Sequence, residues 1–171
     1  SYDSRETLGR LPELTGVMKG EGEKTFAKLC KVYGERSETS ELSLEQIDGI
    51  TFRCPDGTIC ERPWRVPMDL SEVPFVYHDM KKFENKIIYY ETSRGCPFSC
   101  SYCLSSIDKR LRFRSLDLVF NELQFFLDHK VPQVKFVDRT FNCKHDHAMA
   151  IWKYIQEHDN GITNFHFEVA A

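Results

Sequence analysis

The 171-residue sequence has no excess of basic charge: 23 Lys and Arg stand against 26 Asp and Glu, a net charge of −3. Charge-driven attraction to phosphate backbones needs such an excess, so there is no clear nucleic-acid signal. No apolar run approaches the ~18 residues of a membrane-crossing helix, and no membrane association is expected. The opening SYDSRETLGR lacks the basic and apolar regions of a signal peptide. No internal repeat is evident. The cysteines lack the even count of a disulfide framework. There are seven, unevenly spread, which argues for reduced thiols in a cytoplasm with some used as ligands. What is present is a composition 41% hydrophobic, 29% charged and 13% aromatic, suited to a globular chain with a real core. The length allows one domain of moderate size, or one plus a fragment.

The first half reads as short, mixed elements. DSRETLGRL predicts a brief helix capped at Asp3 or Ser4 and stopped between Gly9 and Pro12. LTGVMKG predicts a strand. GEGEKTFAKLCKVYGE predicts a helix with Phe26, Leu29, Cys30 and Tyr33 at helical spacing and Gly34 at its end, which places Cys30 in the core. Residues 35–45 are polar and read as a loop. IDGITFRCPDGTICERP predicts a β-hairpin turning at Pro55-Asp56-Gly57. In that hairpin Cys54 faces Thr58 and Cys60 faces Phe52, so the two cysteines are diagonal neighbours, too far apart for an easy disulfide. The proline-rich WRVPMDLSEVPFVYHDM reads as an extended connector.

From about Asn85 strands and helices alternate. KIIYYETS, PQVKFVD and TNFHFEVAA predict strands. SLDLVFNELQFFLDHK predicts a helix capped by Ser115, with Leu116, Val119, Phe120, Leu123, Phe126 and Leu127 on one face. HDHAMAIWKYIQEH predicts a second, with Ala148, Ile151, Trp152 and Ile155 inward. This β-α-β-α-β order implies α/β architecture with parallel strands, whose chemistry sits at the carboxyl ends of the strands.

Just beyond the first of those strands lies RGCPFSCSYC, with the spacing Cys96-x3-Cys100-x2-Cys103. A structural zinc site takes four ligands, usually as pairs from two loops. Three thiols in one loop suit an iron–sulfur cluster with one coordination position left open. A zinc knuckle completed by a distant ligand is the alternative. In CKHDH, Cys143 to His147, a loop running into a helix accounts for the residues better than a metal site does.

The cysteine motif after a strand, approached through Arg94-Gly95, resembles that of the radical S-adenosylmethionine (SAM) enzymes. KFVDRTFN resembles the second strand of the subgroup with an upstream cobalamin-binding domain, such as the anaerobic magnesium-protoporphyrin ester cyclase-like iron–sulfur oxidoreductases. The resemblance implies a partial (β/α) radical SAM-type barrel, preceded by a small α/β segment and a β-hairpin linker. Residues 1–45 would be the tail of a Rossmann-like, cobalamin-binding-type domain, 46–84 the hairpin and linker, and 85–171 the N-terminal part of the barrel. Cys96, Cys100 and Cys103 would hold a 4Fe-4S cluster. Tyr102 would lie near the adenine of SAM, Asp138 near its methionine end, and Glu168 would reach the ribose. Gly95 would supply the freedom for a sharp turn.

GEGEKTF, Gly20 to Phe26, resembles the signature that closes the cobalamin-binding domain, although acidic residues opening a helix explain it equally well. The cobalamin-ligating Asp-x-His-x-x-Gly motif is absent, so cobalamin is expected only through an upstream domain. The implied activity is reductive cleavage of SAM to a 5′-deoxyadenosyl radical that abstracts hydrogen from an unknown substrate. The implied partner is an external electron donor of the flavodoxin or ferredoxin type. The chain is expected to be a fragment, inactive alone, with an open sheet edge that invites self-association. The competing reading is a non-catalytic zinc- or iron–sulfur-binding interaction module.

Overall fold

The computed structural model describes residues 3–34, 43–104 and 110–170. The loop expected over residues 35–45 lies largely outside these. The chain divides into two units between Pro67 and Met68.

In the first unit helix α1 (Ser4–Arg10) leads to strand β1 (Gly16–Met18) and helix α2 (Glu23–Gly34). Strands β2 (Ile50–Arg53) and β3 (Ile59–Glu61) form the expected hairpin. β2 also pairs antiparallel with β1, with Val17 opposite Thr51, so the hairpin completes a three-stranded sheet. The Ser4 hydroxyl meets that of Thr51 at 2.7 Å and ties α1 to the sheet. Lys19 is buried, and its Nζ donates to Glu61 Oε1 at 2.9 Å and to the Arg62 carbonyl, which satisfies a charge that burial would otherwise penalise.

Two expectations for this unit are corrected. Cys30 is exposed, together with Phe26 and Tyr33, each 58% accessible. The inward face of α2 is Thr25, Leu29 and Val32, with the last two packed on Ile47, Ile50 and Phe52. Both stripes have helical spacing, and packing against the sheet chose the second. Cys54 and Cys60 form a disulfide. Their predicted facing partners are right: Phe52 opposes Cys60, and Cys54 N donates to the Thr58 carbonyl. Strand twist shortens one diagonal of a two-stranded ribbon, and here it brings the Cα atoms to 6.4 Å, inside disulfide range. The other five cysteines remain thiols.

The second unit is built on a parallel sheet of order β4-β7-β8, from β4 (Ile88–Tyr90), β7 (Gln133–Phe136) and β8 (Asn164–His166). Val134 pairs with Ile88 on one side and Phe165 on the other. Between these come β5 (Ser93–Arg94), β6 (Arg112–Phe113), helix α3 (Leu116–Asp128) and helix α4 (His145–Glu157). Ser115 caps α3 as expected, its hydroxyl accepting from Leu118 N.

The core joins Ile88, Tyr90, Val134 and Phe136 to Val119, Leu123 and Phe126 of α3 and to Ala148 and Ile151 of α4. In β8 and just beyond it Phe165 and Phe167 pack on this core, while His166 and Glu168 are exposed; Val169 is exposed too, so the alternation ends there. The second half of the proline-rich segment packs on the core rather than merely connecting. The Phe75 and Phe126 ring centroids lie 5.4 Å apart, and the Tyr77 hydroxyl donates to the Tyr89 carbonyl at 2.6 Å.

Candidate functional site

The site begins where β4 ends. Sequence alone put the cysteines after this strand; the structure adds how their loop is closed. β5 and β6 pair antiparallel, Ser93 with Phe113 and Arg94 with Arg112, so the two ends of the cysteine loop are clasped together. Arg114 N donates to the Thr92 carbonyl at 2.8 Å and extends the clasp. Gly95 sits at its lip with φ +105°, and a Cβ there would stand 2.4 Å from the Arg110 carbonyl oxygen. Both the backbone conformation and the close approach therefore demand glycine. Arg94 grips Glu91 with two guanidinium nitrogens, Nε to Oε1 at 3.0 Å and a terminal nitrogen to Oε2 at 2.6 Å. Such bidentate geometry fixes orientation as well as charge.

Beneath the clasp lies a buried network. Arg114 donates through Nε to Glu122 Oε2 at 3.0 Å, through a second nitrogen to Oε1, and through a third to the Leu70 carbonyl at 2.6 Å. The Tyr90 hydroxyl donates to the same Glu122 carboxylate at 2.6 Å. Burial, then the adjacent carboxylate, pushes the Tyr90 phenol far up, so it stays a donor. Strand β4, helix α3 and the loop's exit are thus locked to one another.

Asp138, just past β7, is 1% exposed. Its Oδ1 accepts from the Thr92 hydroxyl at 2.8 Å and the Ser93 hydroxyl at 2.5 Å, and both oxygens lie 3.2 Å from Thr92 N. Burial raises its carboxyl above the usual range, and these hydrogen bonds pull the other way. Two residues on, the Thr140 hydroxyl lies 4.0 Å from Cys96 Sγ. Burial likewise raises the Cys143 thiol. His147 is buried against Phe113, ring centroids 5.0 Å apart, with no hydrogen-bond partner for Nε2 among the described residues. Burial, then Lys144, pushes its imidazole below the ordinary value.

Of the residues singled out from sequence, Cys96 and Cys103 are half-buried and Cys100 is exposed. A turn links the last two, with Cys103 N donating to the Cys100 carbonyl at 3.1 Å. Tyr102 is 91% exposed. Glu168 lies on the sheet face away from the helices and pairs with Lys135 at 3.5 Å, both side chains well exposed. Among the described residues no three His, Cys, Asp or Glu side chains are gathered into a metal-holding group. The donor set nonetheless suits an iron–sulfur cluster: three thiols on one short loop, none consumed by a disulfide.

The clasp and the hydroxyls of Thr92 and Ser93 were missed from sequence. A signal existed: in RLRFR, Arg110, Arg112 and Arg114 alternate with Leu111 and Phe113, a period of two that marks a strand.

No family model matches the chain. It is 29% identical over 154 residues to an uncharacterized methyltransferase of Pyrococcus horikoshii, covering 85% of this chain and 32% of that protein. It is 29% identical over 109 residues to the anaerobic magnesium-protoporphyrin IX monomethyl ester cyclase of a Synechocystis strain, covering 60% and 21%. Among solved structures, the cobalamin-dependent S-adenosylmethionine radical enzyme OxsB, with aqua-cobalamin bound, matches with a TM-score of 0.71 at 22% identity, over 94% of this chain and 23% of that one. The radical S-adenosylmethionine methyltransferase TsrM of Kitasatospora setae, with cobalamin and a [4Fe-4S] cluster bound, matches with a TM-score of 0.63 at 17% identity, over 90% and 32%. The fold is therefore a mixed α/β arrangement with a small parallel sheet, matched within radical SAM enzymes over a minor part of them. By sequence the chain is a distant relative of the Pyrococcus horikoshii methyltransferase and the Synechocystis cyclase, and it spans about a third or less of their length.

Proposed function

We propose that this chain is part of a radical SAM iron–sulfur enzyme, with residues 85–171 forming the first strands of its (β/α) barrel. The observation that carries the reading is the clasped loop of three thiols at the carboxyl end of the first parallel strand. Cys96, Cys100 and Cys103 would hold a 4Fe-4S cluster. When bound, that cluster supplies one electron to the sulfonium of SAM, releasing methionine and a 5′-deoxyadenosyl radical, and an external flavodoxin- or ferredoxin-type donor restores the electron.

The chain's own residues bind and orient. Tyr102, open to solvent here, would cover the adenine, and Glu168 would reach the ribose from the sheet's open face, exchanging Lys135 for a sugar hydroxyl. The buried Arg114–Glu122–Tyr90 network would keep the loop's base rigid while the cofactors come and go. Residues 1–45 would belong to a cobalamin-binding-type domain, 46–84 to the linker, and cobalamin itself would bind outside this chain. The exposed edge of the sheet would pair with further strands or with a second copy.

Anaerobic reconstitution of the intact protein with iron and sulfide is the test. A brown protein with broad absorption near ~400 nm that changes on adding SAM, and that releases 5′-deoxyadenosine under reductant, is the expected result. A colourless protein that holds zinc in the same loop would instead identify a non-catalytic binding module.

A further inference from the structure

We infer that Asp138 is a positioning residue for the cysteine loop, its buried carboxylate fixing the strand that enters the loop and, through that strand, the Cys96 thiol. The inference rests on the reading of that loop as a cluster site. Aspartate is rarely buried without specific partners. Those of Asp138 are two consecutive residues 45 and 46 positions away, Thr92 and Ser93. A carboxylate that only capped its own turn would serve neighbouring backbone amides. Asp138 instead reaches across from β7 to the exit of β4.

The consequence for the loop is geometric. Ser93 opens the clasp, and only Arg94 and Gly95 separate it from Cys96. Thr140, two residues beyond Asp138, faces Cys96 Sγ. The short stretch from Asp138 to Thr140 therefore touches the stretch from Thr92 to Cys96 at both ends, and sets where the first thiol stands. Three of the donors, the Thr92 amide and the two hydroxyls, converge on Oδ1, so the function needs an acceptor at that point more than it needs a full charge. Asparagine can supply that acceptor and alanine cannot.

The experiment compares the intact protein with its Asp138→Ala and Asp138→Asn variants. Before reconstitution, iodoacetamide labelling of Cys96 is measured by mass spectrometry against the exposed Cys30. After it, iron per chain and the electron paramagnetic resonance spectrum of the reduced cluster are recorded. Loss of the hydrogen bonds in Asp138→Ala should raise Cys96 labelling about tenfold relative to Cys30 and lower the iron content. Asp138→Asn should restore both, with an unaltered spectrum. Unchanged Cys96 labelling and iron in a natively melting Asp138→Ala protein would overturn the inference. So would an Asn variant as defective as Ala, which would make the charge, and hence direct ligand contact, the point. If Asp138→Ala does not fold, Ser93→Ala removes the shortest contact from the other side and is read by the same two outcomes. If the unaltered protein takes up no cluster, the proposed function fails, while the labelling ratio still judges Asp138.

Discussion

The back and the front of the cysteine loop are built to opposite standards. At the back, Asp138, Glu122, Arg114, Thr92 and Ser93 are buried, and their polar atoms are engaged with one another at hydrogen-bond distance. At the front, Cys100 and Tyr102 are exposed and Glu168 is held by a solvent-facing ion pair with Lys135. The back is closed on itself, and the front stands open to solvent. Such a division suits a site in which a rigid base presents groups to something that arrives later, because binding then orders few residues.

The sharpest way to break this comparison is to remove one front thiol. Cys100→Ala should abolish cluster uptake while leaving the thermal melt within about a degree or two, since exposed substitutions cost little. Iron analysis and a melting curve on the same sample check both halves, and full iron loading would end the proposal that the three thiols act as one ligand set. Next in size is a cut at the back. Glu122→Ala leaves Arg114 buried without its carboxylate and should destabilise the fold by about 3–5 kcal/mol, measurable by urea denaturation.

A smaller effect comes from His147. Its imidazole is held below the ordinary value by burial, so the folded state binds a proton less readily than the unfolded one. The stability it contributes is present above the unfolded value and lost as pH falls through about 6.5 toward the folded value. Stability measured by denaturation between about pH 7.5 and about pH 5 should fall in the native protein and stay flatter in His147→Phe. A Phe variant with the same acid slope would assign that slope elsewhere. The smallest effect belongs to the front again: Glu168→Ala should change stability by less than about 0.5 kcal/mol, because an exposed pair gains little over water. A loss several times larger would show that the open face is part of the scaffold.

How much of this was legible in the sequence follows the same division. The parallel strands, the helices α3 and α4 and the Ser115 cap could all be read, since each follows from local spacing within one element. The three cysteines were legible because their spacing is itself a chemical pattern. The back of the site was not. Asp138 meets Thr92 across 46 positions and Arg114 lies eight from Glu122 but reaches Leu70 as well, so no window of sequence contains those partners. The same limit explains α2, where Phe26, Cys30 and Tyr33 have the period of a core stripe and lie outside because the sheet chose Leu29 and Val32. It explains Cys54 and Cys60 too, whose bond depends on strand twist rather than on register.

The clasp between Ser93–Arg94 and Arg112–Phe113 has one more consequence. It pins both ends of the cysteine loop at one place on the sheet, so the contour length between them becomes a separable variable. Closing a flexible loop twice as long costs only about 0.6 kcal/mol more. A change of length between the two clasped strands can therefore leave the strand register and the position of Cys96 fixed. The first thiol belongs to the frame, which lets such a fold be retuned for a new ligand by changing the length of one hoop.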